Sequence, residues 1–318
     1  MSSNPLNPWS DSGSRSTWNE KDEILSNVHS RTFTSDKYLR GSTLGQGAWS
    51  VVYKVKRVSD GRLFAAKSAS DDKQLYNEMK MITEFSHNNF LQFIELHQQG
   101  DAVGAKILIT ELCEGGDLST YIWHAPGGMD MVEIVLVISQ MSDVLAFLHG
   151  MNYYHSDVKP KNIFIRRFNP IEVVLGDCAD CRTGTHKYWS PDMAAHIPHD
   201  GRADDMWALG ISVLSMMVQL PHMKRRNRNT VKKDVCNFVD ECGYHAQYLE
   251  GLNPENRLVK LACQMLVFDP EFRITAADCN QQAMELLEHL DKEGDESKGK
   301  GTEGLGIQSP PDFKPASF

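Results

Sequence analysis

Tyr154-His155-Ser156-Asp157-Val158-Lys159-Pro160-Lys161-Asn162-Ile163-Phe164-Ile165 is a polar stretch set between an apolar helical pattern and an apolar strand pattern. It brings together a carboxylate of the kind that accepts a proton from a hydroxyl (Asp157), an ammonium that offsets anionic charge (Lys159) and an amide whose oxygen suits a hard metal ion (Asn162). An ordinary polar turn leaving a helix fits the same letters. The flanking sequence decides between them.

The chain has 318 residues, 41% hydrophobic and 24% charged, which is the composition of a globular protein with room for about two domains or lobes. A formal charge of −9 speaks against coating nucleic acid, and no nucleic-acid partner is expected. The longest uncharged run, Met206 to Met223, is interrupted by Ser212, Ser215, Gln219 and Pro221. It reads as a buried helix, so no membrane anchor is expected. Met1 to Ser30 has no apolar core flanked by basic residues, so it is not read as a secretory signal. With seven cysteines, an odd number, the expectation is reduced thiols and an intracellular protein, cytoplasmic or nuclear. Cys178 and Cys181 form a C-x-x-C, but Cys236 and Cys242 lack the spacing that would complete a zinc site, and the thiols are expected to be incidental or buried.

Residues 1–35 are polar and aperiodic and are read as a flexible arm. Leu44-Gly45-Gln46-Gly47-Ala48-Trp49-Ser50-Val51-Val52-Tyr53 alternates around two close glycines. It is a hairpin whose turn either approaches a phosphate or is a plain β-turn. Leu63-Phe64-Ala65-Ala66-Lys67 is a strand that either carries a cation into a pocket or ends in a solvated edge lysine. Glu78 lies where Met79, Ile82 and Phe85 keep helical spacing, so it is solvated unless Lys67 reaches it. Lys106 to Leu112 is a buried strand, followed by Cys113-Glu114-Gly115-Gly116-Asp117-Leu118 as a turn and helix start. Ile134, Ile138, Met141, Leu145 and Leu148 trace the core face of a long helix leading into the polar stretch. Beyond it, Ile163-Phe164-Ile165 and Val173-Val174-Leu175 are short strands, and the second runs into Gly176-Asp177-Cys178-Ala179. Lys224, Arg225, Arg226, Arg228, Lys232 and Lys233 form a basic cluster, either a solvated face or a recognition patch. Residues 291–318 are rich in Gly, Lys, Glu, Ser and Pro and are read as a disordered tail.

In this order and at these intervals, the segments resemble the eukaryotic protein kinase family. The carriers are G-x-G-x-x-S-x-V from Gly45, the Lys67 strand with Glu78, the catalytic stretch ending at Asn162 and the D-F-G position at Asp177. Gly184-Thr185-His186-Lys187-Tyr188 before Ser190-Pro191-Asp192, Asp205-Met206-Trp207-Ala208-Leu209-Gly210, and Asp269-Pro270-Glu271-Phe272-Arg273 complete the set. The resemblance implies an α+β bilobal fold over residues 36–290, with a small, mainly antiparallel β lobe over 36–113 and a larger helical lobe over 114–290. ATP is then expected between the lobes, at Leu44, Gly45, Gly47, Val52, Ala65, Lys67, Thr110, Glu111, Cys113 and Phe164. Mg²⁺ is expected on Asn162 and Asp177, Asp157 is the implied base, and Lys159 offsets transition-state charge. Lys67 and Glu78 pair to orient phosphates, and Arg273 pairs with Asp192. Lys159 and Thr185 resemble the Ser/Thr branch, so the implied partner is a protein substrate with Ser or Thr hydroxyls; oligomeric state is unspecified.

Departures from the family at Ser156, Ser50, Cys178 and Ala179 bear on function. Ser156 stands where most members have Arg, and Ser50, Cys178 and Ala179 replace a Gly, the Phe and the Gly. The last three keep open a nucleotide-binding pseudokinase. Ser156 cannot bind a phosphorylated activation segment, so activity is expected without such phosphorylation.

Overall fold

The computed structural model describes residues 35–47, 50–69, 72–98, 106–124, 129–177, 185–223 and 231–296. The chain divides into two compact units, Met1–Ser86 with Leu91–Gly116 and Ile165–Asn169, and His87–Phe90 with Asp117–Phe164 and Pro170–Phe318. A single cut at residue 113 misses this threading.

In the first unit, β1 (Tyr38–Gln46), β2 (Ser50–Arg57), β3 (Leu63–Ala69), β4 (Phe93–Gln98) and β5 (Lys106–Glu111) form one antiparallel sheet in the order β1-β2-β3-β5-β4. Side chains alternate between its faces. Tyr53, Val55, Phe64, Ala66, Ile107 and Ile109 share one face and are buried in one cluster. On the other face Leu108 meets Leu75 and Ile82 of α1 (Asp72–Glu84) in a second cluster. Because β3 is interior, Lys67 is not an edge lysine.

The second unit is mainly helical, with α2 (Leu118–His124), α3 (Met131–Gly150), α4 (Pro191–Ala195), α5 (Gly201–Met217), α6 (Val231–Leu252), α7 (Arg257–Met265) and α8 (Ala276–Glu296). β6 (Ile163–Arg167) and β7 (Glu172–Leu175) pair in a two-stranded sheet. Helix α3 starts in a capping box: the Asp130 side chain accepts from the Glu133 N–H while the Glu133 side chain accepts from the Asp130 N–H. Its stripe of Ile134, Ile138, Met141, Leu145 and Leu148 is fully buried, with α8, β7 and α5 among its neighbours. At about 2 kcal/mol per side chain this burial contributes on the order of 10 kcal/mol before ordering entropy is subtracted. By length and composition α3 is also apolar enough to cross a membrane.

Trp207, Ile211 and Leu214 of α5 pack with Phe238, Val239 and Leu249 of α6 and with Val259 and Leu266. Gly210 permits this approach, since a Cβ there would sit 2.8 Å from the side chains of Met265 and Leu266. The run from Met206 is therefore a buried helix as far as Met217, where α5 ends. Helix α8 continues through Glu296, past the tail boundary expected at 290. The N-terminal arm before 35, the C-x-x-C and the basic cluster at 224–228 lie outside the described residues.

Candidate active site

Strand register assembles the site residues of the first unit. Gly45 pairs with Val52 and Val52 with Lys67, while Ala65 pairs with Thr110. The period of two puts Val52, Ala65, Lys67 and Thr110 on one face of the sheet, the face that carries α1. From α1, Glu78 is 5% exposed, and its Oε2 accepts from Lys67 Nζ at 2.7 Å. An acid this deeply buried is stable only with its cation, so the pair fixes both side chains. Leu44 is exposed near the end of β1. A Cβ on Gly45 would meet nothing within 4 Å, and one on Gly47 only Ser50 at 3.5 Å, so protein packing does not require either glycine.

The strand that ends at Glu111 is tied down by a partner that the local sequence does not announce. Arg166 donates from Nε to Glu111 Oε2 at 2.8 Å and from Nη2 to Oε1 at 2.7 Å, a bidentate clamp between residues far apart in sequence. Cys113 follows, half-buried. Gly115 N–H donates to the Ile165 carbonyl and Ile165 N–H to that of Gly116, whose φ is +71°. A Cβ on Gly115 would lie 2.6 Å from Ile165, so this glycine pair serves backbone contact and a left-handed turn.

In the second unit, the polar stretch is held from beneath by α5. Asp205, 1% exposed, accepts the N–H of His155 at 2.7 Å and that of Ser156 at 2.8 Å, and lies 3.0 Å from His149 Nε2. Ser156 is left-handed at φ 67°, a conformation costly for a non-glycine residue and supported here by that second bond. His155 is buried, and desolvation pushes its pKa below the usual value although Asp205, Asp157 and Asp177 push it up. Its neutral ring donates from Nε2 to the Gly176 carbonyl at 3.2 Å and accepts the Asp157 N–H at Nδ1 at 3.4 Å.

Four donors converge on the Asp157 carboxylate. Lys159 Nζ at 2.5 Å and Asn162 Nδ2 at 3.0 Å reach Oδ2; the Thr185 N–H at 3.2 Å and hydroxyl at 3.3 Å reach Oδ1. Lys159 also donates to the Thr185 hydroxyl at 2.8 Å. Asn162 spends its amide N–H groups on the Asp157 side chain and carbonyl, while the Gly176 N–H bonds the Asn162 carbonyl. The chain is thereby fixed just before Asp177, which is itself left-handed at φ 59°. Phe164 bridges backbone-to-backbone with Asp117. Tyr188 is pushed up to about 12 by burial and then by Asp157, so its phenol stays protonated. Ser50 opens β2, whereas Cys178, Ala179 and Thr183 lie outside the described residues.

The expected Arg273–Asp192 ion pair is not formed. The Arg273 guanidinium donates to the carbonyls of Val267, Ala203 and Phe268 at 2.8–3.0 Å and lies 5.1 Å from the Trp207 ring centroid. One N–H of each guanidinium nitrogen is engaged by a backbone carbonyl. Burial lowers its pKa to about 10, with Asp204, Asp192 and Asp269 opposing, so it remains a cation at neutral pH. The end of the segment is held instead by Ser190 Oγ, which donates to Asp204 Oδ1 at 2.5 Å, with His199 Nδ1 2.5 Å from the other oxygen.

The β unit thus carries a Lys–Glu pair, and the helical unit carries a loop-borne carboxylate ringed by Lys, Asn and Thr. A family model described as the protein kinase domain matches residues 38–285, and the chain belongs to that family. Among curated relatives it is similar to cyclin-dependent kinase-like 1 of Caenorhabditis elegans, 31% identical over 193 residues covering 55% of this chain and 53% of that one. It is also similar to serine/threonine-protein kinase Nek4 of Mus musculus, 29% identical over 197 residues, 56% of this chain and 24% of the relative. The chain thus spans about half and about a quarter of these relatives. The crystal structure of Rad53 1–466 in complex with AMP-PNP has a TM-score of 0.64 at 22% identity, covering 77% of this chain and 64% of that one, a likeness of fold.

Proposed function

We propose that the chain transfers the γ-phosphoryl group of ATP to Ser or Thr hydroxyls of proteins inside the cell. The observation that carries this reading is the Asp157 carboxylate, buried yet held by Lys159, Asn162 and Thr185 with its Oδ1 turned toward Thr185. A hydroxyl presented to that oxygen gives up its proton to Asp157 as its own oxygen attacks phosphorus, and the bond to the ADP oxygen breaks in line. Lys159 offsets charge on the equatorial oxygens, and Lys67, oriented by Glu78, neutralises phosphate charge before attack. The Lys159–Thr185 contact and the serine/threonine kinases among the relatives favour Ser and Thr over Tyr. The AMP-PNP bound by Rad53 supports ATP as donor.

Mg²⁺ fits the donor set. Among the described residues no group of three or more His, Cys, Asp or Glu could hold a metal ion, so a cage built from protein alone is not at hand. Asn162, whose N–H groups are turned to Asp157, offers its amide oxygen, and Asp177 offers a carboxylate: two hard ligands, as suits an ion that takes its remaining ligands from water and phosphates. When bound, Mg²⁺ withdraws charge from the phosphates.

The test is transfer of radiolabelled phosphate from ATP to a generic basic protein, comparing wild type with Asp157→Asn and Lys67→Met. Both variants should lose at least about a thousandfold, or roughly 4 kcal/mol of barrier. ATP binding without transfer in wild type would replace this reading by the pseudokinase that Ser50, Cys178 and Ala179 allow.

A further inference from the structure

Beyond the catalytic loop, one cluster of buried polar groups has no part in the chemistry just described. Ser190 is fully buried. Its Oγ accepts the Met193 N–H at 3.2 Å, capping α4, and donates to Asp204 in the first turn of α5. Asp204 is 6% exposed, and its second oxygen faces His199, a residue whose side chain reaches solvent. The remaining charge facing Asp204 is Arg273, whose guanidinium is engaged by three carbonyls. The carboxylate is in the middle of the array, with no imidazole on Ser190, so the array cannot activate Ser190 as a nucleophile. It can hold a backbone in place.

What it holds is the segment that begins at Thr185. That segment is fastened at one end to Asp157 and Lys159 through Thr185 and at the other to Asp204 through Ser190. Asp157, Thr185, Tyr188, Asp204 and Asp205 line one cavity of ≈ 20 Å³, so the two fastenings share a wall. We propose that Ser190, Asp204 and His199 are positioning residues that keep the segment from Thr185 to Pro191 in register with Asp157, in place of an Arg273–Asp192 ion pair, and so set affinity for the protein substrate. A buried hydroxyl–carboxylate bond leaves a carboxylate short of a donor when broken, which makes the fastening strong at Ser190 and adjustable at the exposed His199.

The kinetic part of the test rests on the proposed phosphotransfer. Ser190→Ala should raise KM for a protein substrate about tenfold, equivalent to about 1.4 kcal/mol, with KM for ATP within about twofold. His199→Ala should act in the same direction, and His199→Gln, which restores a donor to Asp204, should recover the wild-type value. Hydrogen exchange of the amides between Thr185 and His196 reads the fastening without catalysis, so it stands even if the protein transfers no phosphate. Faster exchange confined to that segment is expected in Ser190→Ala and His199→Ala, with a fall in melting temperature of no more than a few degrees. Unchanged exchange, a parallel rise of both KM values, or no recovery with His199→Gln would overturn the proposal.

Discussion

At the scale of single residues, His155 links burial to pH. The native state prefers its neutral ring, whereas an unfolded histidine titrates near about 6.5. Its contribution to stability is therefore complete above about pH 6.5 and is lost as pH falls below it, because the unfolded chain takes up a proton that the native chain refuses. Thermal midpoints measured from pH 7.5 to 5 should fall on acidification, and the slope should be shallower in His155→Gln; equal slopes would assign the effect elsewhere. Thr185 leads to a second expectation. Its hydroxyl is already committed to Asp157 and Lys159, so phosphate there would set a dianion beside a carboxylate. With Ser156 in place of the usual Arg, phosphatase-treated protein and Thr183→Ala should both keep most of the wild-type transfer rate; a tenfold loss in either would sink this expectation.

At the scale of elements, Gly115 is where close packing and backbone pairing coincide. Gly115→Ala drives a methyl to 2.6 Å from Ile165 and should cost about 1–3 kcal/mol, read as an earlier urea midpoint, while Gly150→Ala, with nothing within 4 Å, should not. Elements whose signal is local could be read in advance. The α3 stripe, the β1–β2 hairpin, the β3 strand that carries Lys67, and the Asp157–Asn162 loop all declare themselves by period or by residues within one turn of each other. Contacts joining distant residues could not. The Arg166–Glu111 clamp and the Ser190–Asp204 bond depend on which elements the fold brings together, and neither has a periodic or compositional signature. The expected Arg273–Asp192 pair failed for the same reason: a motif fixes which residues are present, but three competing carbonyls decided where the guanidinium went.

At the scale of the whole molecule, the chain leaves the first unit at Gly116 and returns to it for Ile165–Asn169. That return supplies the backbone partner of Gly115 and Gly116 and the guanidinium that neutralises Glu111. A fragment of residues 36–116 should accordingly lack a cooperative thermal transition and show fast amide exchange from Lys106 onward; a sharp melt with protected β5 amides would contradict this. The same threading bears on synthesis. A ribosome making this chain from its N-terminus emits all five sheet strands well before it emits Ile165, so the nascent β unit waits, incomplete at the Glu111 end of β5, while α2 and α3 are still being added. During that interval an unneutralised Glu111 sits at the end of an apolar strand, which places the period of greatest exposure to misassembly and chaperone capture between the translation of residues 116 and 169.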